Sequence, residues 1–222
     1  MSLRFLTAGE SHGPALVAIL EGLPAGLPLS VEQINPQLAR RQRGFGAGPR
    51  MKLERDTVQI LSGVMEGVTI GSPLTLWIDN KDHEKWAGKA IEPFNIPRPG
   101  HVDLSAALKY GYSDLRPGLE RASARETAAR VAVGAVCKHF LSQFDIQVGG
   151  YVTAIGDVTA DLAEQNLFER IAQAETSAVR CPDSNSSDAM LDAIQDVIKE
   201  KNTLGGIIEV VALGLPPGLG AY

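Results

Sequence analysis

Four short segments place histidines and arginines beside glycine and other small residues, a combination suited to moving a proton near a bound anion. The first is Gly9-Glu10-Ser11-His12-Gly13. Small neighbours let backbone and imidazole approach a ligand closely, and a histidine titrating near neutrality can protonate a leaving group. A loop histidine hydrogen-bonded only for structure is the competing reading. The second runs from Arg40 to Arg50 as RRQRGFGAGPR, with four guanidiniums in eleven residues, three of them next to a Gly-rich loop. Guanidinium makes planar, often bidentate pairs with carboxylate and phosphate, although a solvated basic helix end would look the same. The third, Arg98-Pro99-Gly100-His101-Val102-Asp103, is a Pro-Gly turn that holds His101, with Asp103 as a candidate cap for the next helix. The fourth is Glu120-Arg121-Ala122-Ser123-Ala124-Arg125-Glu126-Thr127. It opens a helix, so free N–H groups and two arginines are expected around an anion there; plain helix capping is the alternative. His83 and His139 lack such a setting and read as surface or packing residues.

These segments need elements to hold them. Apolar runs bounded by Gly, Pro or Asn predict strands over 15–21, 57–62, 73–79, 147–155 and 206–213. Helical spacing predicts helices over 31–43, 103–110, 124–143, 161–174 and 187–201. Ser123 and Glu126 are expected to form a capping box, followed by a buried stripe of Val131, Ala135, Cys137 and Leu141. For the first helix two starts stay open: a Ser30/Gln33 box, or Asn35 as N-cap with Pro36 at the first helical position. Strands and helices do not alternate regularly, which predicts an α+β fold with mainly antiparallel sheet. Gly22-Leu23-Pro24-Ala25-Gly26-Leu27 is echoed by Gly214-Leu215-Pro216-Pro217-Gly218-Leu219. Two similar Gly-Pro turns would arise by chance as well. As a true repeat, the second copy should run into a helix beyond Tyr222, so the chain is expected to be incomplete.

Composition narrows the function classes. Of 222 residues, 44% are hydrophobic and 21% charged, which excludes a disordered or coiled-coil chain. Aromatics at 5% argue against a stacking platform for single-stranded nucleic acid, and a net charge of -5 argues against duplex binding. The charge is uneven. Residues 1–140 carry 17 Lys and Arg against 14 Asp and Glu, whereas residues 141–222 carry 4 against 12. An anion is therefore expected to bind the first part. No secretory segment is expected at the start, and the apolar run from Pro14 to Leu20 is too short to span a bilayer. Cys137 and Cys181 have no CxxC spacing; Cys137 reads as a packing residue, and a reducing cytoplasm fits.

In this order the four segments resemble chorismate synthase. The match includes GESHG, RRQ with its Gly-rich stretch and Arg50-Met51, and Leu61-Ser62-Gly63-Val64. It continues through RPGHVD, Lys109-Tyr110 and ERASARETAARVAVGA. The resemblance implies a β-α-β sandwich with internal pseudo-symmetry, of which residues 1–222 would be the N-terminal part of a single domain, incomplete at the C-terminus. It implies a lyase of the shikimate pathway that converts 5-enolpyruvylshikimate 3-phosphate to chorismate by 1,4-elimination of phosphate. The implied cofactor is reduced FMN, within a flavoprotein chemistry that extends to FAD and NADP, NADPH serving only to reduce the flavin; no metal is implied. His12 would protonate the departing phosphate, and His101 would protonate or polarise the flavin ring. Arg41 and Arg50 match substrate-binding arginines, and Arg121, Ala122 and Ser123 a flavin-binding stretch. The family commonly has a further arginine where this chain has Ala47. A cytoplasmic homotetramer with no nucleic-acid or membrane partner is implied. The alternative from another class is a non-catalytic remnant that binds anions or flavin and oligomerises without turnover.

Overall fold

In the computed structural model, residues 2–46 and 55–219 are described. The chain divides into two units, residues 1–42 with 48–137, and residues 43–47 with 138–222. The architecture is α+β, and the strand pairings are antiparallel.

The first unit is organised by strands whose alternate residues are apolar. β1 (Arg4–Ala8), β2 (Ala15–Glu21), β7 (Leu74–Asp79) and β4 (Val58–Ser62) form one sheet in that order. Register places Leu16 opposite Ile78, Ala18 opposite Leu76 and Leu20 opposite Leu74, and all six are buried. One face of the sheet is therefore core, and each fully buried Leu or Ile contributes about 1.5–3 kcal/mol. The other face carries Leu6 opposite Ile19, both exposed. β3 (Ala25–Pro28), β6 (Val68–Ile70) and β5 (Val64–Met65) make a small second sheet. Between and after the strands come α1 (Val31–Gln42), α2 (Asp103–Tyr110), α3 (Arg116–Arg121) and α4 (Thr127–Ser142), with 3-10 turns at Lys81–Lys85 and Ala124–Glu126.

The second unit has β10 (Gly206–Leu213), β8 (Gln147–Ile155) and β9 (Val158–Thr159) in that order, with helices α5 (Leu167–Ala174) and α6 (Ser184–Lys199). Val179, Cys181 and Met190 form its small buried cluster. Ile171 of α5 closes to 2.6 Å on where a Cβ of Gly149 would lie, which is why that strand position lacks a side chain.

Several expectations need correction. α1 starts at Val31, with Ser30 N and Ser30 Oγ donating to Gln33 Oε1, so the Ser30 start holds and the Asn35 start does not. Pro36 sits inside the helix and leaves one ladder bond unmade; the buried pair Ile34 and Leu38 holds the helix regardless. The continuous helix over 124–143 is a 3-10 turn followed by α4. Ser123 Oγ accepts from Arg125 N, while the Glu126 carboxylate turns to Thr7 and Arg130 instead of closing a box. The buried face of α4 is Ala128, Ala129, Ala132, Val133, Ala135 and Val136, so the expected stripe shares only Ala135 with it. Small alanines, rather than the larger residues, let the helix pack closely. α5 begins at Leu167, where Asn166 and Glu169 form a full capping box, and α6 begins at Ser184 behind Asp183. The two GLPxGL copies share a backbone device: Gly22 and Gly26 have φ of 91° and 91°, Gly214 and Gly218 of 78° and 88°.

Candidate active site

The loop between β1 and β2 carries His12, and its path requires Gly9. That residue has φ of +109°, and a Cβ there would lie 2.4 Å from Ala15 O. The loop is then tied down from three sides, all within the first unit. Asn80, just after β7, donates from Nδ2 to Glu10 O at 3.0 Å and Gly13 O at 2.8 Å. Glu120 in α3 accepts the His12 main-chain N–H on Oε2 at 2.8 Å and His12 Nδ1 on Oε1 at 2.8 Å. Its own carbonyl accepts from Ser11 N at 3.1 Å. His83 Nδ1, from the 3-10 turn after β7, donates to His12 O at 2.8 Å. The Trp86 ring lies 4.8 Å from the imidazole, tilted by 57°. Because a carboxylate only accepts, His12 Nδ1 is the donor in this pair.

A second web joins this loop to the arginines. Arg125 is buried, with Nε on Asn80 Oδ1 at 2.7 Å, one terminal nitrogen on Asp56 Oδ1 at 2.6 Å and the other on Asp79 O at 3.0 Å. Arg41, in the last turn of α1, reaches Asp56 Oδ2 at 3.3 Å, Thr127 Oγ1 at 2.9 Å and Ala124 O at 2.9 Å. All three guanidinium nitrogens of Arg41 are thus held, and Asp56 is shared by both arginines. The expectation that two arginines face an anion at the 123–127 turn is corrected: Arg125 points inward as part of the scaffold. Its neighbour Arg121 is exposed and donates to Thr7 O at 3.0 Å and Thr7 Oγ1 at 3.1 Å. Ala122 is exposed beside it, and Ser123 caps the turn.

His101 stands on the 98–101 turn, exposed, with its main-chain N–H on Arg98 O at 3.3 Å. No hydrogen bond or ring contact joins it to His12 among the described residues. What fixes its turn is Asp103 at the start of α2. That carboxylate is fully buried and accepts from Arg98 Nε at 2.8 Å, a terminal Arg98 nitrogen at 3.0 Å and Arg98 N at 3.0 Å. The Arg98 bonds hold its carboxyl down at about 2. Arg43 falls in the second unit. Arg50 and Ala47 lie outside the described residues. The described residues contain no cluster of acidic, histidine or cysteine side chains able to hold a metal, and no helix long and apolar enough to cross a membrane.

Glu120, Asn80, Asp56 and His83 were not legible as site residues. Glu120 sits in the fourth segment but meets His12 across 108 positions, and His83, which reads as a surface or packing residue, is half-buried against the His12 carbonyl. Pairing over such separations leaves no local pattern.

Compared with known proteins, residues 3–222 match the family model described as chorismate synthase. The chain belongs to the chorismate synthase family. Chorismate synthase of Aquifex aeolicus is 53% identical over 237 residues, covering 99% of this chain and 60% of that protein. Chorismate synthase of Symbiobacterium thermophilum is 50% identical over 236 residues, with the same shares. A solved structure described as a crystal structure of chorismate synthase superposes with a TM-score of 0.81 at 46% identity, covering 97% of this chain and 59% of that one. The α+β fold read from the chain is therefore the family's. The chain spans about 60% of the length of the curated relatives it matches.

Proposed function

We propose that the chain carries the proton-donating and anion-binding part of a chorismate synthase, acting on 5-enolpyruvylshikimate 3-phosphate with reduced FMN. The observation that supports this most is the His12–Glu120 pair, built into the same unit as a buttressed Arg41. His12 holds a proton at Nε2 and delivers it to the phosphate oxygen as the C–O bond breaks. Arg41, immobilised at all three nitrogens, supplies a fixed positive charge for the substrate's carboxylates or phosphate, so little ordering is left to do on binding. Arg50 is assigned to the same task by its place in the motif.

The residues present fit a flavin phosphate and ring: an exposed guanidinium at Arg121, no side-chain bulk at Ala122, and a Ser123 hydroxyl that accepts from Arg125 N and keeps a proton to donate. Those three residues would hold it. When bound, reduced FMN supplies electron density to the allylic system as phosphate leaves and recovers it afterwards. His101 is the residue we assign to proton exchange with the bound cofactor; its turn is kept rigid by Arg98 and Asp103. A homotetramer in the cytoplasm, without nucleic-acid or membrane partners, belongs to the same reading. It is supported by the net charge of -5 and by exposed Ile207, Ile208 and Val210 on β10.

The test is phosphate release from the enolpyruvyl substrate under anaerobic conditions with reduced FMN. Release should fall about 10²–10⁴-fold in His12→Ala, the usual contribution of a positioned acid, and clearly in His101→Ala. Flavin binding by fluorescence without any release would instead favour the anion- or flavin-binding remnant.

A further inference from the structure

We propose that Glu120 is the positioning residue of the proton donor: it fixes His12 in the Nδ1–H form, so that the proton exchanged with substrate is confined to Nε2. The inference deepens the proposed function and rests on His12 acting there as the acid. It stands on the division of labour between the two carboxylate oxygens. Oε2 accepts from the His12 main-chain N–H and Oε1 from its ring Nδ1, each at 2.8 Å. A main-chain N–H can only donate, so one oxygen is committed to it. The other then meets Nδ1, and as a carboxylate oxygen it admits only a protonated nitrogen. The ring cannot turn away easily, because Trp86 lies against it and His83 holds the His12 carbonyl. The Glu120 main chain adds a third tie, to Ser11 N, so the donor loop and the end of α3 move as one. The proton delivered to substrate is the second one on the ring, carried at Nε2 while Nδ1 keeps its own bond to Glu120.

Glu120→Gln isolates this role, because it keeps the shape and removes one acceptor. The main-chain N–H still needs the single amide oxygen, which leaves the amide NH2 facing Nδ1. A donor there demands an unprotonated Nδ1, and the proton moves to Nε2 in the neutral ring. The experiment is 15N NMR of ring-labelled histidine in the full chain, with His12→Gln to assign the resonance, on wild type and on Glu120→Gln. The neutral His12 ring should read as Nδ1–H in wild type and as Nε2–H in the variant. The same tautomer in both proteins, or Nε2–H in wild type, overturns the inference. Circular dichroism and the resonances of the other three histidines show whether the variant is folded. If it is not, the wild-type tautomer alone decides. In the phosphate-release assay Glu120→Gln should lower kcat at least tenfold with KM within about twofold, a split that loss of substrate binding would not produce. Wild-type protein that shows the Nδ1–H tautomer yet releases no phosphate would refute the proposed reaction while leaving the role of Glu120 in orienting His12 intact.

Discussion

At the scale of single residues, the site is a web of shared donors and acceptors around a buried Asp56–Arg125 pair. Asp56 and Arg125 have side chains that are 1% and 5% exposed, and Asp56 also receives Arg41. Asp56→Asn keeps the volume but sets an amide NH2 against one guanidinium. Removing one partner of such a pair leaves a buried charge uncompensated, which costs about 3–5 kcal/mol. Chemical denaturation should show a loss of that order, and it should be matched by weaker substrate binding through a loosened Arg41. Asn80→Ala acts on the other end of the web. It removes both ties to Glu10 O and Gly13 O and the acceptor for Arg125 Nε, each unsatisfied group costing about 1–3 kcal/mol. It should lower Tm and also depress kcat, since the loop that carries His12 loses its ties on either side of that residue, at Glu10 O and Gly13 O. A variant with lower Tm but unchanged kcat would disconnect Asn80 from the His12 loop.

At the scale of elements, the start of α2 and the turn before it behave as one piece, because Asp103 binds Arg98 through three bonds. Its carboxyl, held at about 2 against an ordinary value of 3.8, binds fewer protons in the folded than in the unfolded state. Its contribution is therefore fully present above pH 4 and is lost as pH falls from 4 towards 2. Asp103→Asn should destabilise the protein at pH 7 by about 1–3 kcal/mol, in the lower part of that range because Arg98 is half-exposed and solvent screens the pair. It should also flatten the stability profile between pH 4 and 2, as followed by acid titration of circular dichroism. The same elements show what a sequence can reveal. Strands over 15–21, 147–155 and 206–213 and the helix over 103–110 are found where apolar pattern and turn residues place them; over 15–21 burial on one face imposes the local period, whereas 206–213 is an apolar run without a buried residue. β1 escapes notice because it is an edge strand with mostly exposed residues, so no period marks it. The break of the 124–143 helix depends on Arg125 diving to Asp56 and Asn80, 69 and 45 positions away. Local spacing carries no record of that. His12 and Arg41 could be picked out from residue type and glycine context, whereas the carboxylates that orient them could not.

At the scale of the whole molecule, the uneven charge noted in the sequence coincides with the division into units. The candidate site residues that are described lie in the first, and the second is the acidic one. The second unit also presents an unfilled apolar surface. Among the described residues β10 pairs only with β8, and Ile207, Ile208 and Val210 on it are 63%, 69% and 70% exposed. An open strand edge of this kind is a template for association. Ile208→Lys with Val210→Lys should reduce binding of a hydrophobic dye severalfold and shift sedimentation towards smaller species, with phosphate release per chain as the control. Dye binding that does not change would place the accessible apolar surface elsewhere.

The amides of Ser11 and His12 both donate to residue 120, one to its carbonyl and one to its carboxylate. Exchange of their hydrogens for deuterium therefore counts how often the donor loop parts from the end of α3. That makes two backbone positions a built-in clock for the loop that carries His12, the acid of the proposed reaction, one that runs whether or not any substrate is turned over.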